Sequence, residues 1–564
     1  MSGEAGRRNA IVSAVAGEGG TGAAFAASLR HPALRRAQLA WAAALVGQVS
    51  IAVAVSVYAY GVGGASAVSL VYVIRLLPAA IVTPFASLLG DHFDRSRVML
   101  LSSLSRFVLA GALAIAAFGS VNHWAVFVIS VAIGIAGTPF RPAQAALLPS
   151  LVDEPEQLTA ANVVSSTIEA LGFFAGPALA GVLLAAWGTA AVFTLVAVAF
   201  GISTLTLLRP LRGTAVEREE DERGGESFGE ALFAGASAIG RDRDLRLIVG
   251  LFVAQTLVAG ALTVLLVVTA IKLLHTGDAS VGWLDASVGV GGMLGSVAAI
   301  KLAGRRRLTP SFLVGIVLWG APFLLIAAWA NLEAAMFAFA VIGVGNMLVD
   351  VSGFTLLQRV VDDSVLARVF GAVETLVYGS SVVGALTIPP LVSAVGTRWA
   401  LIVVGLFLPG LALGCGSRLL RVDRSAVAPV ETVAMLRALP LFAPLPALSV
   451  ERLAMKLQPL EFPAGTTVIT EGDIGDRYYV LASGAAEVII DGAIRSSLGP
   501  GEGFGEIALL RDVPRTATVM MTEPGTLFSL DRESFLDAVS SNRRSLAAAD
   551  ETVSRRLGAL SGTV

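Results

Sequence analysis

The chain has 564 residues, more than one hydrophobic core normally serves, so at least two domains are expected. Apolar residues make up 55% and charged residues 15%, with a mean hydropathy of +0.77, a composition that excludes a purely soluble globule. A formal net charge of −2 gives no support to a nucleic-acid partner. The single cysteine, Cys415, excludes an intramolecular disulfide and offers no metal cluster, so no metal site is expected.

Residues 1–32 are rich in Gly and Ala, carry Arg7, Arg8 and Arg30, and lack an apolar core followed by a cleavage site. They read as a flexible cytoplasmic tail. Apolar runs of bilayer-crossing length then recur at 37–61, 67–90, 98–119, 123–147, 159–187 and 189–208. A second set follows at 246–272, 280–303, 311–330, 333–357, 367–394 and 398–417. Twelve transmembrane helices in two bundles of six (33–210 and 246–417) are therefore predicted. The linker between them, 211–245, holds the mixed charge run Glu217–Arg223, which cannot sit in hydrocarbon. Within it, Ser227–Ile239 predicts a short amphipathic helix on the membrane surface.

Loop arginines set the orientation. Arg95 and Arg97, Arg305–Arg307, and Arg359 and Arg368 follow spans 2, 8 and 10, whereas the loops after spans 1, 3, 5 and 9 carry none. Both termini are thus expected in the cytosol, with the chain multi-pass in the cytoplasmic membrane.

After a connector at 418–431 the pattern changes. Short β-type runs, Thr467–Ile469, Tyr478–Leu481 and Glu487–Ile490, alternate with Gly, Asp and Pro turns. A helix is predicted at Val430–Leu439 and another from Arg532 to Leu560. The fold class is mainly α: a twelve-helix membrane unit, then a cytosolic β-roll with flanking helices over 432–564.

In the membrane part, Pro84–Arg97 reads PFASLLGDHFDRSR, a tight charged loop in which Asp91 can pair with basic groups and a helix end. It resembles the loop 2–3 signature of the major facilitator superfamily, a family of 6+6 secondary transporters. The resemblance makes Asp91 the signature acid, with Arg95 and Arg97 its basic partners across the half-to-half interface. Ser87 and His92 depart from that pattern, and a register using Gly90, Asp94 and Arg95 stays open. Thr138–Val152 (TPFRPAQAALLPSLV), with its echo Thr355–Asp363, is similar to the branch of enterobactin exporters and macrolide-efflux proteins. Over residues 33–418 this resemblance implies a small-molecule substrate, most often exported by proton antiport.

Charged residues within spans are functional candidates, because burying them in lipid is expensive. They include Arg75, Glu169, Asp285, Asp350 and Glu374. Arg75 and Asp350 suit a structural pair or a gating bond. Arg141, ending span 4 between prolines, is open between structure and substrate contact. Glu169 lies mid-span, where a carboxylate can carry a proton, bind a cationic substrate or serve as a hydrogen-bonded structural acid. Gly289, Gly291, Gly292 and Gly295 are expected to permit close helix packing.

Near the C-terminus, Gly503–Val519 reads GFGEIALLRDVPRTATV. Gly503 and Gly505 let backbone approach a ligand without a Cβ, a short helix from Glu506 aims free N–H groups at an anion, and Arg515 supplies a cationic fork. Glu506 is acceptor-only and suits a sugar hydroxyl. The run resembles the phosphate-binding cassette of cyclic nucleotide-binding domains. That resemblance gives Glu506 the ribose, Arg515 the phosphate, and Ile507 and Ala508 a place in the cassette, Ala508 through backbone contacts. Thr516 can bond a guanine amino group, yet cAMP is favoured over cGMP. The base lid would come from Asp550–Leu560, where no aromatic residue offers to stack. No phosphate loop with Gly-x-x-x-x-Gly-Lys-Ser/Thr spacing occurs, which speaks against ATP-driven transport.

The expectation is a non-enzymatic, proton-coupled exporter without a cofactor, biased by cAMP or cGMP as regulatory ligand. Alternatives are a non-transporting cyclic nucleotide receptor and an exporter of the nucleotide itself. Monomer and oligomer both remain open.

Overall fold

The computed structural model describes residues 32–92, 94–117, 122–151, 155–209, 211, 228–303, 308–361, 363–425, 429–445, 447–540 and 543–560. The chain divides into two compact units, Met1–Leu420 and Arg421–Val564.

The first unit is helical: α1 (Pro32–His92), α2 (Arg95–Ala117), α3 (His123–Gly137), α4 (Phe140–Leu147), α5 (Pro155–Leu207) and α6 (Phe228–Arg241). It continues with α7 (Arg243–Val268), α8 (Ala279–Ala303), α9 (Thr309–Gly320), α10 (Pro322–Ala328), α11 (Leu332–Val360) and α12 (Asp363–Ser425). Among the described residues, nine helical stretches are long and apolar enough to cross a membrane. Three of these are interrupted at a glycine with positive φ: Gly64 (60°), Gly188 (73°) and Gly396 (81°). Lacking a Cβ, glycine reaches that backbone region without strain. Each break falls in a gap expected between spans, and dividing the three stretches there is consistent with twelve spans.

Helix α6 occupies the segment where an amphipathic helix was expected, and it packs tightly. A Cβ on Gly235 would sit 2.1 Å from the Arg368 carbonyl oxygen at the start of α12. Hydrocarbon gives apolar side chains no reason to prefer each other over lipid, so membrane helices associate through close backbone approach. Of the glycines singled out for packing, Gly291 faces the Ala340 carbonyl, where a Cβ would be 1.8 Å away, and Gly289 and Gly295 also abut neighbouring helices. Gly292 differs, since a Cβ there would meet nothing within 4 Å.

Helices before and after α6 meet through α1 and α12 and through α5 and α8. Ser69 donates to the Ala385 carbonyl at 2.8 Å, and the Tyr72 and Ser381 hydroxyls share a hydrogen bond of 2.8 Å. Between α5 and α8, a Cβ on Gly282 would lie 2.5 Å from the Gly181 Cα.

The second unit opens with α13 (Val430–Ala438), close to expectation, and α14 (Ala447–Lys456), which the sequence did not announce. Eight strands follow: β1 (Gln458–Phe462), β2 (Thr467–Ile469), β3 (Arg477–Leu481), β4 (Ala486–Ile490), β5 (Ala493–Leu498), β6 (Gly503–Phe504), β7 (Thr518–Met521) and β8 (Gly525–Asp531). They form two four-stranded antiparallel sheets, ordered β1-β8-β3-β6 and β2-β7-β4-β5. Between β6 and β7 lies α15 (Glu506–Arg511). The C-terminal segment forms two helices, α16 (Arg532–Ser540) and α17 (Arg543–Leu560), rather than the one expected. Asp531 starts the first by accepting from the Ser534 N–H at 2.8 Å.

Strand β3 explains how this unit holds together. Its side chains alternate, so Tyr478 and Val480 enter a core with Phe442, Leu530 and Phe535, while Tyr479 and Leu481 enter one between the sheets with Phe504 and Met521. Both faces are covered, which is why the strand reads as an unbroken apolar run. Tyr478 stacks on Phe535 with ring centroids 4.7 Å apart.

Gly260 in α7 tests the packing rule, because a Cβ there would lie 1.8 Å from the Ser381 carbonyl of α12. Gly260→Val is expected to destabilise the membrane unit by about 2 kcal/mol or more through overpacking, read as a lowered unfolding temperature of the purified chain in detergent.

Candidate functional site

The chemistry-bearing residues of the second unit converge on α15. Gly505, in the left-handed conformation with φ 92°, turns the chain from β6 into this helix. The first N–H groups of any such helix lack an intrahelical acceptor. Arg515 comes back alongside: its Nη1 donates to the Gly505 carbonyl at 2.9 Å and its Nη2 to the Arg477 carbonyl at 2.7 Å. Its own backbone is held from both sides, with its N–H on the Asp473 carbonyl and its carbonyl accepting from the Gly472 N–H. Asp476 stands 3.8 Å away as the nearest carboxylate. Burial pulls the Arg515 guanidinium below its ordinary value, opposed by Tyr479, Asp476, Glu506 and Asp473.

The two cassette glycines prove to make room for protein side chains. A Cβ on Gly505 would lie 2.6 Å from Arg515 Nη1, and one on Gly503 would lie 1.9 Å from the Tyr478 hydroxyl. Burial pushes the Tyr478 phenol far above its ordinary value, so it stays neutral at any physiological pH.

Glu506 is 1% exposed. Its Oε1 accepts from Arg556 Nη1 of α17 at 2.6 Å, and its Oε2 is buried with no hydrogen-bond partner. Beside it lies a cavity of about 150 Å³, lined by Gly505, Glu506, Ile507, Ala508, Arg515 and Thr516 together with Arg495, Ser496 and Arg556. Six of the seven cassette residues singled out in the sequence thus share one cavity, and Gly503 supports it from behind. Sequence reasoning missed Arg556 and Arg495. The first was sought as an aromatic lid, and the second sits on β5 with no motif around it. A second ion pair, Arg511 to Asp550 at 3.2 Å, also ties α15 to α17.

In the membrane unit, two candidates named separately turn out to be partners. Arg141 donates from Nη1 and Nη2 to the two carboxylate oxygens of Glu169 at 2.5 and 3.2 Å, and its guanidinium stands 5.6 Å from the centre of the Trp41 ring. Asp350 accepts from Asn346 Nδ2 at 3.0 Å, and Asn346 Oδ1 in turn accepts from Trp319 Nε1 at 3.1 Å. The Asp91 side chain lies outside the described residues. Asp94 instead caps α2 by accepting from the Arg97 N–H at 3.0 Å, and Arg95 donates to the Ala146 carbonyl at 2.7 Å, within the first six-span set. Arg75 Nε is buried with no hydrogen-bond partner. Arg106 was not singled out, yet it is 2% exposed with its guanidinium 4.8 and 4.7 Å from the Phe140 and Phe200 ring centres. A charge inside span 98–119 was the available signal.

A helical unit with nine membrane-length stretches among the described residues is thus joined in one chain to a β-roll that holds the cassette. Residues 39–385 match the Major Facilitator Superfamily model, and the chain belongs to that superfamily of multi-pass membrane transporters. Residues 459–542 match the cyclic nucleotide-binding domain model, a range that includes Glu506 and Arg515 but not Arg556. The MFS-type transporter YfiS of Bacillus subtilis is 28% identical over 356 residues, which is 59% of this chain and 79% of that protein. The cAMP-dependent protein kinase regulatory subunit of Yarrowia lipolytica is 49% identical over 79 residues, 14% of this chain and only 21% of that one. A solved structure of the regulatory domain of Toxoplasma gondii PKA with cAMP shares 34% identity over 20% of this chain and 46% of that chain, with a TM-score of 0.19.

Removing Arg556 leaves the Glu506 carboxylate buried and unpaired. Because Arg556 itself is 32% exposed, Arg556→Ala is expected to cost about 2 kcal/mol, less than a fully buried pair. Hydrogen exchange of the purified chain should then speed up by about tenfold or more across α17.

Proposed function

We propose that this chain is a secondary active transporter whose activity is set by a 3′,5′-cyclic nucleotide held in its second unit. The observation that carries the reading is Glu506, whose Oε2 is buried without a hydrogen-bond partner in a residue that lines the same cavity as Arg515. A sugar hydroxyl satisfies the first and a phosphate the second, and one cyclic nucleotide offers both.

The kinase regulatory subunits matched here favour cAMP as that nucleotide. A second reading is favoured by Arg495 and Thr516 in the cavity lining. Guanine presents two adjacent acceptors, N7 and O6, to an arginine fork, whereas adenine presents an acceptor and a donor. On that reading cGMP binds as well or better.

For the transport half, export by proton antiport in the enterobactin-exporter and macrolide-efflux manner is proposed from the Thr138–Val152 run. The carboxylates of Glu169 and Asp350 are the groups proposed to serve coupling. Loop arginines support a cytoplasmic membrane location with both termini inside. Nucleotide can alter transport only if it binds one access state better than another.

Titration calorimetry on the purified full chain should show one cyclic nucleotide site, weakened about 100-fold by Arg515→Ala. In inverted vesicles, transport should respond to nucleotide in the parent chain and lose that response in Arg515→Ala. A response that persists without binding rejects the regulatory reading. Intact cellular function in both Glu169→Gln and Asp350→Asn favours the non-transporting receptor, and accumulation of labelled cAMP favours nucleotide export.

A further inference from the structure

Along the contact between α1 and α12, polar rungs repeat at one-turn intervals. Ser69 meets Ala385 and Tyr72 meets Ser381, a step of three residues on one helix and four on the other. One more step of the same size puts Arg75 opposite Val377 and Tyr378. Arg75 and Tyr72 share the face of α1 that looks at α12, being three residues apart on a helix.

Three arginines lie within the first six predicted spans, and two of them have a charged or aromatic partner, although Arg106 Nη2 is itself buried without an acceptor. Arg141 is paired with Glu169, and Arg106 lies against two phenylalanine rings. Arg75 is bonded to neither a carboxylate nor a ring among the described residues, and its Nε is buried without an acceptor. The residue as a whole is only half-buried, so the outer part of its fork stays open. An arginine at this depth needs an anionic or strongly accepting partner. On this interface the Tyr72 and Ser381 hydroxyls are bonded to each other, and the same step of the two helices puts Tyr378 on the next rung. Those groups donate readily to the same oxyanion that an arginine fork grips.

We propose that Arg75 heads the substrate site of the membrane unit and that the site takes an organic anion, a carboxylate or phosphate ester, whose oxygens fill the open fork. The proposal rests on the transporter reading and adds the charge class of what is carried. Glu374, exposed and one turn from Tyr378 on α12, is the nearby acid that bears on it. It disfavours an anion by repulsion, and it is the alternative partner for Arg75 should the two close together.

The test uses the purified full chain carrying Arg515→Ala, so that an anion cannot report from the nucleotide cavity. Thermal unfolding is followed with benzoate and phenyl phosphate as probes, against benzamide and benzyltrimethylammonium. The two anions are expected to raise the unfolding temperature and the other two to leave it unchanged. Arg75→Gln should raise the half-saturating benzoate concentration about tenfold or more, with Arg75→Lys recovering part of the loss. Tyr378→Phe, a milder change that keeps the ring, should weaken benzoate about threefold. Glu374→Gln should bind benzoate as well as the parent or better. Equal stabilisation by benzamide, no stabilisation by either anion, or unchanged benzoate response in monodisperse Arg75→Gln would each overturn the proposal. So would a Glu374→Gln chain that loses benzoate as Arg75→Gln does, because that identifies an ion pair. A chain that binds benzoate through Arg75 but moves no solute strikes the transporter reading and leaves the anion site standing. Transport without anion preference strikes the anion site alone.

Discussion

A carboxylate taken out of water costs several kcal/mol unless something pairs with it, and Glu506 is almost wholly withdrawn. The arrangement of the second unit follows from meeting that cost on one oxygen only. Arg556 reaches back from α17 to Oε1, while Oε2 is left without a partner and the residue lines a cavity shared with Arg515. The arginine is placed with equal care, since two backbone carbonyls hold its fork and two backbone bonds hold its main chain. Glycines at 503, 505 and 475 leave the space these side chains occupy.

The same cost governs the membrane unit under harsher terms. Arg141 and Glu169 neutralise each other, and Arg106 is surrounded by π faces. Asp350 sits at the end of a directed chain of donors. Trp319 can only donate, so the Asn346 atom facing it is oxygen, and the amide's nitrogen is left to donate to Asp350. These ionic groups are met in different ways, and among the described residues Arg75 differs from Arg141 and Arg106 in having neither a carboxylate nor a ring against it.

Sequence carried the local part of this picture. Glu506 and Arg515 lie nine residues apart within one cassette, so their spacing could be judged directly. Breaks at Gly64, Gly188 and Gly396 were legible as gaps between apolar runs. What escaped was tertiary. Arg141 and Glu169 were each conspicuous, yet 28 residues and a helix reversal separate them, and nothing local says that they meet. Arg556 stands fifty residues beyond Glu506 on a helix whose register against α15 no motif encodes. One helix was expected over Arg532–Leu560, whereas α16 and α17 are separate.

Helix α17 is fastened to one oxygen of a buried carboxylate whose other oxygen has no hydrogen-bond partner. Whatever occupies one oxygen therefore changes how strongly the other attracts its donor. Linkage makes such an effect mutual: if ligand tightens the grip on the helix by some factor, docking of the helix tightens the grip on ligand by the same factor. On the proposed assignment of Glu506 to a sugar hydroxyl, a mutation, a partner or a change in salt that loosens Arg556 is then felt as a loss of nucleotide affinity. The sensitivity of the sensor is thus adjustable from the far end of the chain.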